Sequence, residues 1–367
     1  MGGSKVFFTD FHTNSSENLL QKFRRLLVYA GFKKIDLTGK FVALKIHFGE
    51  RGNLAFLRPN YVRVVVDLAK EMGGKPFLTD SNTLYVGSRK NALDHLSIAY
   101  ENGFNPFVTG CHVIIADGLK GTDEVLVPVN GTYVKQAKIG RAVMDADVFV
   151  SLTHFKMHEC TGIGGTLKNI GMGCGSRAGK MEMHSNGKPT VNQGMCIGCG
   201  TCVKTCAHDA ISFNDRKKVT IDKRKCAGCG RCIGRCSRDA IYAAMDEKHE
   251  ILNKKICEYS LAVVHDRPCF HVSFIVDVSP FCDCHSENDV PVVPNVGMLA
   301  SFDPVALDVA CAEIVNSQPL FPDCILAKKE VVGDYFQTMH PTTNWRAVVE
   351  YGASIGLGKL EYDLIRL

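Results

Sequence analysis

At 367 residues the chain is long enough for two domains, or for one large domain carrying an insertion. Its apolar content of 46% is ordinary for a globular protein and its net charge is only +5. No window is apolar over the length of a bilayer, and the opening MGGSKVFFTDFHTNSS has no apolar secretion core, so neither a membrane span nor a nucleic-acid partner is expected. Seventeen cysteines in a chain of this size, eight of them at regular spacing, fit a reducing cytoplasm such as an anaerobe's better than a disulfide scaffold.

The first part of the chain alternates between two periodicities. Short apolar, β-branched runs at 6–9, 41–47, 77–79, 113–116 and 148–152 predict buried strands. Between several of them, 17–30, 60–72 and 89–102 repeat apolar residues every three or four positions and stop at Gly31, Gly73 and Gly103, which predicts helices. This alternation predicts an α/β fold on a mainly parallel sheet. His47 and Asp80 each close a predicted strand, where ligands of such sheets bind. His47 is therefore a candidate catalytic residue, with a structural histidine as the alternative.

The next segment, HFKMHECTGIGGTLKNIGMGCGSRAGKMEMHS at 154–185, is rich in glycine and reads as a mobile or anion-cradling loop. It contains no GxGxxG. It is not a P-loop either, because Gly175, Gly179 and Lys180 are one residue short and Met181 replaces the hydroxyl that would hold magnesium. Threaded through it are His154, Lys156, His158, Cys160, Lys168, Cys174 and His184, a set of acids, bases and ligands that a structural connection does not need. His158 and Lys168 are candidate catalytic residues; Cys174 and His184 are candidate metal ligands.

A doubled cysteine motif follows. Cys196, Cys199, Cys202 and Cys206 form one CxxCxxCxxxC, and Cys226, Cys229, Cys232 and Cys236 repeat it thirty residues later, with nine of eighteen aligned positions identical. Three thiolates at this spacing wrap one corner of a cubane and the fourth crosses to the neighbour, which predicts two [4Fe-4S] clusters. One is held by Cys196, Cys199, Cys202 and Cys236, the other by Cys226, Cys229, Cys232 and Cys206. Structural zinc uses two CxxC knuckles per metal and does not match. Gly198, Gly200, Gly228 and Gly230 let the backbone turn close to sulfide, and the DAI after each fourth cysteine predicts a short strand. Ala207 and Ser237 stand where bacterial ferredoxins usually have proline, which removes no ligand.

Strand-like runs resume at 262–265, 272–278 and 292–299, followed by helical patterns at 304–315 and 345–355. The chain thus divides into a first host part (1–188), a ferredoxin-like two-cluster insertion (189–246) and a second host part (247–367). The basic stretches 216–218 and 223–225 are solvated faces or a docking surface for an acidic partner. Beyond the insertion, DVSPFCDCHSENDVP at 277–291 places Cys282 and Cys284 in a CxC pair beside Asp283 and His285. Two cysteines two apart can share a metal only on a non-helical turn, for which Pro280 provides. The pair implies a third cluster or metal ion; two small buried hydrophobes are the alternative. Asp303, before Pro304, is a ligand candidate or a helix cap.

HFGERGN at 47–53, LTDSNTLYVGSRKNALDH at 78–95, KNIGMGCGSRAGKMEMHS at 168–185, the CDC and SFDPVALDVA at 301–310 together resemble the uncharacterised iron-sulfur proteins known only by domain of unknown function 362. The resemblance covers nearly the whole chain and implies no activity. A more distant similarity is to the nickel-pincer lactate racemases, in which a histidine, an AGFSGG-like turn, a lysine carrying the cofactor and a metal-binding histidine follow in order. His158, TGIGGT at 161–166, Lys168 and His184 fall in that order here. The similarity implies that His158 transfers protons, Lys168 anchors a cofactor and His184 binds metal. The CDC pair and the insertion are absent from the racemase pattern, and a racemase needs no external electrons.

Two functions follow. In the first, an oxidoreductase, the clusters pass single electrons from a redox partner, ferredoxin or oxidoreductase, to a further metal, cluster or small-molecule substrate in the host, with His158 or His184 moving protons. In the second, the chain is a non-catalytic electron carrier or cluster-delivery protein. The histidines, lysines and cysteines outside the repeat favour the first.

Overall fold

The computed structural model describes residues 2–85, 87–185, 187–331 and 333–367. Eight strands form one sheet: β1 (Ser4–Asp10), β2 (Phe41–Lys45), β3 (Lys75–Asp80), β4 (Val113–Ile115), β5 (Val148–His154), β6 (Cys269–Ile275), β7 (Gly297–Ser301) and β8 (Tyr362–Arg366). Their order is β8-β1-β7-β6-β5-β2-β3-β4. All neighbours pair in parallel except β7, which runs antiparallel to both β1 and β6. The expected mainly parallel sheet is present, with one reversed strand.

Helices cover both faces. On one lie α1 (Leu19–Tyr29) and α2 (Pro59–Glu71), whose apolar stripes, Phe23, Leu26 and Leu27 and then Tyr61, Val62, Val65 and Val66, meet Val42, Leu44, Val148 and Val150 of the sheet. Alternate residues of the same strands, Ala43 and Phe149, face a second cluster on the other side. Asn18 opens α1 with a capping box completed by Gln21, and Pro59 occupies the first turn of α2, where its missing N–H costs nothing. Helix α3 (Ala92–Glu101) is capped by Asn91. The opposite face carries α4 (Thr166–Cys174), α5 (Arg177–His184), α6 (His249–Val264), α7 (Pro304–Asn316) and α8 (Trp345–Ser354). Among the described residues no helix is long and apolar enough to cross a membrane.

Three expectations are corrected. Residues 262–265 end helix α6 and are not a strand; ten of the sixteen residues of α6 are buried, so its sequence shows no polar face by which a helix could be recognised. The strand expected at 292–299 begins only at Gly297, although Val292 and Val293 are fully buried. The glycine-rich segment is not a mobile loop. It forms a small hairpin, Lys156–His158 with Gly162–Gly164, followed by α4 and α5, and most of it is buried. Its glycines serve close packing: a Cβ on Gly171 would lie 2.2 Å from the Ile256 carbonyl oxygen of α6.

The cysteine repeat lies outside the large sheet. Ile211–Phe213 pairs with Val219–Ile221, and Ile241–Ala243 pairs with Pro189–Val191, both antiparallel. Each of the two DAI segments therefore leads into a short strand. The halves interlock, since Asn192 N donates to Ala240 O at 2.7 Å and Asp222 N to Ala210 O at 2.8 Å. Their apolar core, Ile211, Val219, Ile233, Ile241 and the buried cysteines, also includes Leu84 and Met181 from outside the repeat.

Candidate metal and active site

The carboxyl ends of β2, β3 and β5 open onto a cavity of about 730 Å³, with His47, Asp80 and His154 in its wall. A buried ion network ties these ends together. Lys45 Nζ lies 3.0 Å from Asp80 and 2.8 Å from Asn169 Oδ1, and Arg89 lies 3.2 Å from Glu50 and 3.5 Å from Asp80. Asp80 is the hub. Burial alone would raise its carboxyl, but the charge of Lys45, with His95 Nε2 3.7 Å from the carboxylate, outweighs it and holds it well below the usual range. His47 is pushed well below an ordinary histidine by burial and by Arg89, so it faces the cavity as a neutral ring.

The opposite wall is the 277–291 segment. Asp283 is fully buried and receives His154 Nδ1 at 2.9 Å and Lys156 Nζ at 3.1 Å, while His154 Nε2 faces Val276 O at 2.7 Å. Both ring nitrogens of His154 thus face acceptors. With Asp283 held on one side, Cys282 and Cys284 meet on the other, and His158 from the small hairpin joins them. One ligand atom from each of the three lies within 4.8 Å of the others. Glu159 braces the turn, accepting from Cys282 N at 3.2 Å and meeting His285 Nε2 at 3.2 Å. Glu50 N donates to Asp283 O at 3.0 Å and Asn53 Nδ2 to His285 O at 3.1 Å, so the loop after β2 clasps the CxC turn.

The electrostatics favour one thiolate in this pair. Cys282 accepts a hydrogen bond from Cys284, and the charges of Lys168, whose Nζ lies 3.3 Å from its sulfur, and of His158 add to that; together they outweigh burial and hold it well below an ordinary thiol. Cys284, donating that bond, is held well above. Burial would lower Lys168, but Cys282 and Cys284 outweigh it and raise it. Burial would raise Glu159, yet the bond from His285 and the charge of His158 bring it to about 2.

Helix α5 joins the cavity to the cysteine repeat. Lys180 and His184, four apart on one face, line the cavity; Arg177 and Met181, four apart on another, pack against the repeat. His184 does not titrate near neutrality: burial, then Lys168, His158 and Lys180, push it to about 3. Burial pushes Lys180 down to about 8, with Asp117 and Asp80 only partly offsetting it.

His47, His158, Lys168, His184 and Cys284 line this one cavity, and the Cys282 sulfur lies within 4.8 Å of the ligand atoms of Cys284 and His158. Cys174 does not join them. It is fully buried at the end of α4 in an apolar cluster with Ala43, Phe77 and Ile170. Asp303 caps α7, accepting from Val305 N and Ala306 N. Cys160 lines the cavity wall. Lys45, Glu50 and Arg89 are wall residues that the sequence motifs did not single out, and Lys180 stood out there only in the comparison with a P-loop; a lysine within the apolar run FVALKIHF is the one signal that could have found Lys45.

In the repeat, Cys196, Cys202 and Cys232 are buried and Cys199 is exposed. Burial raises the Cys202 thiol, and the sulfurs of Cys236, from the second half, and Cys199 push the same way. Cys232 is pushed up to about 12 by burial and by Cys229, Cys226 and Cys202. Backbone amides approach the fourth sulfur of each half, Ala210 N at 3.4 Å from Cys206 and Ala240 N at 3.3 Å from Cys236.

The chain is 29% identical over 161 residues to the thylakoid-associated protein sll1697 of Synechocystis sp., a stretch that is 43% of this chain and 46% of that protein. The chain thus spans about half the length of the curated relative it matches. Among solved structures it is similar to the lactate racemase apoprotein of Thermoanaerobacterium thermosaccharolyticum, at 10% identity and a TM-score of 0.37, covering 86% of this chain and 58% of that one. It is also similar to a Thermotoga maritima protein, at 12% identity and a TM-score of 0.44, covering 82% and 60%. The family described as a domain of unknown function (DUF362) matches residues 42–313, and the chain belongs to it.

Proposed function

We propose that this protein is an iron-sulfur oxidoreductase whose repeat, residues 189–246, is a ferredoxin-type electron inlet inserted into the α/β host. In this reading Cys196, Cys199, Cys202 and Cys236 hold one [4Fe-4S] cluster, and Cys226, Cys229, Cys232 and Cys206 the other. The residues fit such groups: the charge of Cys236 in the second half reaches Cys202 in the first, backbone amides approach Cys206 and Cys236, and the paired glycines turn at positive φ. When bound, the clusters supply one-electron transfer, taken from an external one-electron donor such as a ferredoxin.

The observation that carries the reading past a simple carrier is helix α5, with one face on the repeat and the other on the cavity. An electron carrier or cluster-delivery protein has no need for a 730 Å³ chamber walled by charged and ligand side chains. There, Cys282, Cys284 and His158 offer two sulfur donors and an imidazole, a set suited to zinc, nickel or iron. Lys168 balances the Cys282 thiolate. His184, uncharged at working pH, can accept a hydrogen bond from a small substrate. Lys180, at about 8, is the wall residue placed to give up or take a proton near neutrality.

Anaerobic purification with iron, sulfide and metal quantification tests this. Roughly eight irons with matching sulfide come from the repeat, and additional iron or another metal supports the third site. Fewer than about four irons after anaerobic reconstitution would sink the reading.

A further inference from the structure

The two halves of the cysteine repeat are related by a shift of thirty residues, so each is a control for the other. Their backbones correspond: Gly198 and Gly200 have φ of 68° and 70°, Gly228 and Gly230 of 73° and 66°. Their surroundings differ. A Cβ on Gly200 would meet the Phe213 ring at 3.1 Å. The counterpart of Phe213 is Ala243, and the space over Gly230 is filled instead by Arg177, whose Cγ and Cδ lie 2.7 and 2.9 Å from the same virtual atom. Lys204 in the first half is matched by Gly234 in the second, where a Cβ would stand 1.7 Å from Arg177 Nη1. At two positions the second half has a smaller residue, and a guanidinium from host helix α5 occupies the room.

Arg177 is fully buried. Its Nη2 donates to Lys90 O, but Nε and Nη1 have no partner among the described residues. The carboxylate acting on Arg177 is that of Asp117, whose Oδ2 is likewise unpaired while Oδ1 is taken by Asn82. The other charges acting on Arg177 are the sulfurs of Cys232 and Cys229. A buried guanidinium with free N–H groups is costly unless something negative meets it.

We infer that Arg177 is a positioning residue for the redox centre of the second half, its buried guanidinium packed on Gly230 and Gly234 beside the Cys226, Cys229, Cys232 and Cys206 set and holding the reduction potential of that set above that of the first. The inference rests on reading the repeat as an iron-sulfur pair. Reduction adds one electron, from the external donor, and hence one negative charge; a buried cation and hydrogen bonds to sulfur stabilise that reduced form. With clusters bound, the second centre would be the one beside α5, the helix that reaches the cavity.

The test is an anaerobic potentiometric titration followed by electron paramagnetic resonance, on protein whose iron and sulfide have been measured first. Two separable midpoints are expected, and Arg177→Gln lowers only the higher one, by at least a tenfold change in the oxidised-to-reduced ratio, or ~59 mV for one electron. Arg177→Lys restores most of the shift. Gly234→Ala, which displaces the guanidinium without deleting it, moves the same midpoint down and decides the matter if Arg177→Gln does not retain iron. Equal movement of both midpoints, no movement, or a shift that Lys does not reverse overturns the inference while leaving the iron-sulfur reading intact. Wild-type protein without iron overturns the reading itself.

Discussion

The cysteine repeat and the Cys282–Cys284 cavity both gather ligand side chains, but by opposite means. In the repeat all eight cysteines fall in one short stretch, and glycines at positive φ turn the chain around them. The cavity assembles His158 from a hairpin after β5, Lys168 from α4, and Cys282 and Cys284 from a loop after β6. Its order depends on buried charge pairs: Asp283 against His154 and Lys156, and Lys45 against Asp80. A local site is built by backbone conformation, whereas a dispersed one is built by packing and ion pairing and inherits their sensitivity to a single lost charge.

The largest expected effect breaks the two sites apart. Cys282→Ser together with Cys284→Ser should abolish any metal held at the CxC turn, read by elemental analysis, and leave unchanged the iron content and visible spectrum that the proposed clusters of the repeat would give. Loss of both together would mean that the sites are not separable.

Next is Asp283→Asn, which leaves Lys156 and His154 facing a neutral amide in a buried site. Removing one partner of a buried ion pair costs about 3–5 kcal/mol, and disturbing the support of a ligand turn costs about 10–100-fold in metal affinity. Denaturant unfolding and metal titration should show both. A stability change within about 0.5 kcal/mol, the range of ordinary surface substitutions, would refute the clamp.

Lys180→Met sharpens the comparison from the opposite direction, because here a charge costs stability. The folded value of about 8 lies below the unfolded ~10.4, so the native state binds fewer protons in that window and stability rises with pH across it. The substitution should stabilise the protein by up to ~3 kcal/mol at pH 7 and flatten that rise. Unfolding curves at pH 7 and pH 10 check the sign.

The smallest effect concerns packing. Alanine in place of a helical glycine ordinarily gains about 0.5–1 kcal/mol. At Gly171, however, a Cβ would stand 2.2 Å from Ile256 O, and overpacking of this kind costs about 1–3 kcal/mol, so Gly171→Ala should be net destabilising in thermal unfolding.

Much of the fold was legible because the relevant signals are local. The runs at 41–47, 77–79 and 148–152 became β2, β3 and β5, and helices α1, α2, α7 and α8 lie within a few residues of their periodic patterns. Helix α6 was not, since burial on nearly all sides erased its periodicity. The glycine-rich segment misled for a related reason: glycine marks both flexible backbone and close helix contact, and only the neighbour, Ile256 on α6, distinguishes them. The cavity was legible in its parts, His158, Lys168, Cys282 and Cys284, but not in their grouping. Cys174 looked equivalent to any other cysteine until the apolar cluster around it was seen.

The sequence by itself determined the doubled cysteine motif, its glycine turns and the alternation of strand and helix, because spacing and local conformational preference are properties of neighbours along the chain. Only the tertiary structure decided that His158 completes the cysteine pair, that burial lowers the proton affinity of both His184 and Lys180, and that Arg177 stands against one half of the repeat and not the other. Those outcomes depend on burial and on charges from distant segments, which no local pattern records.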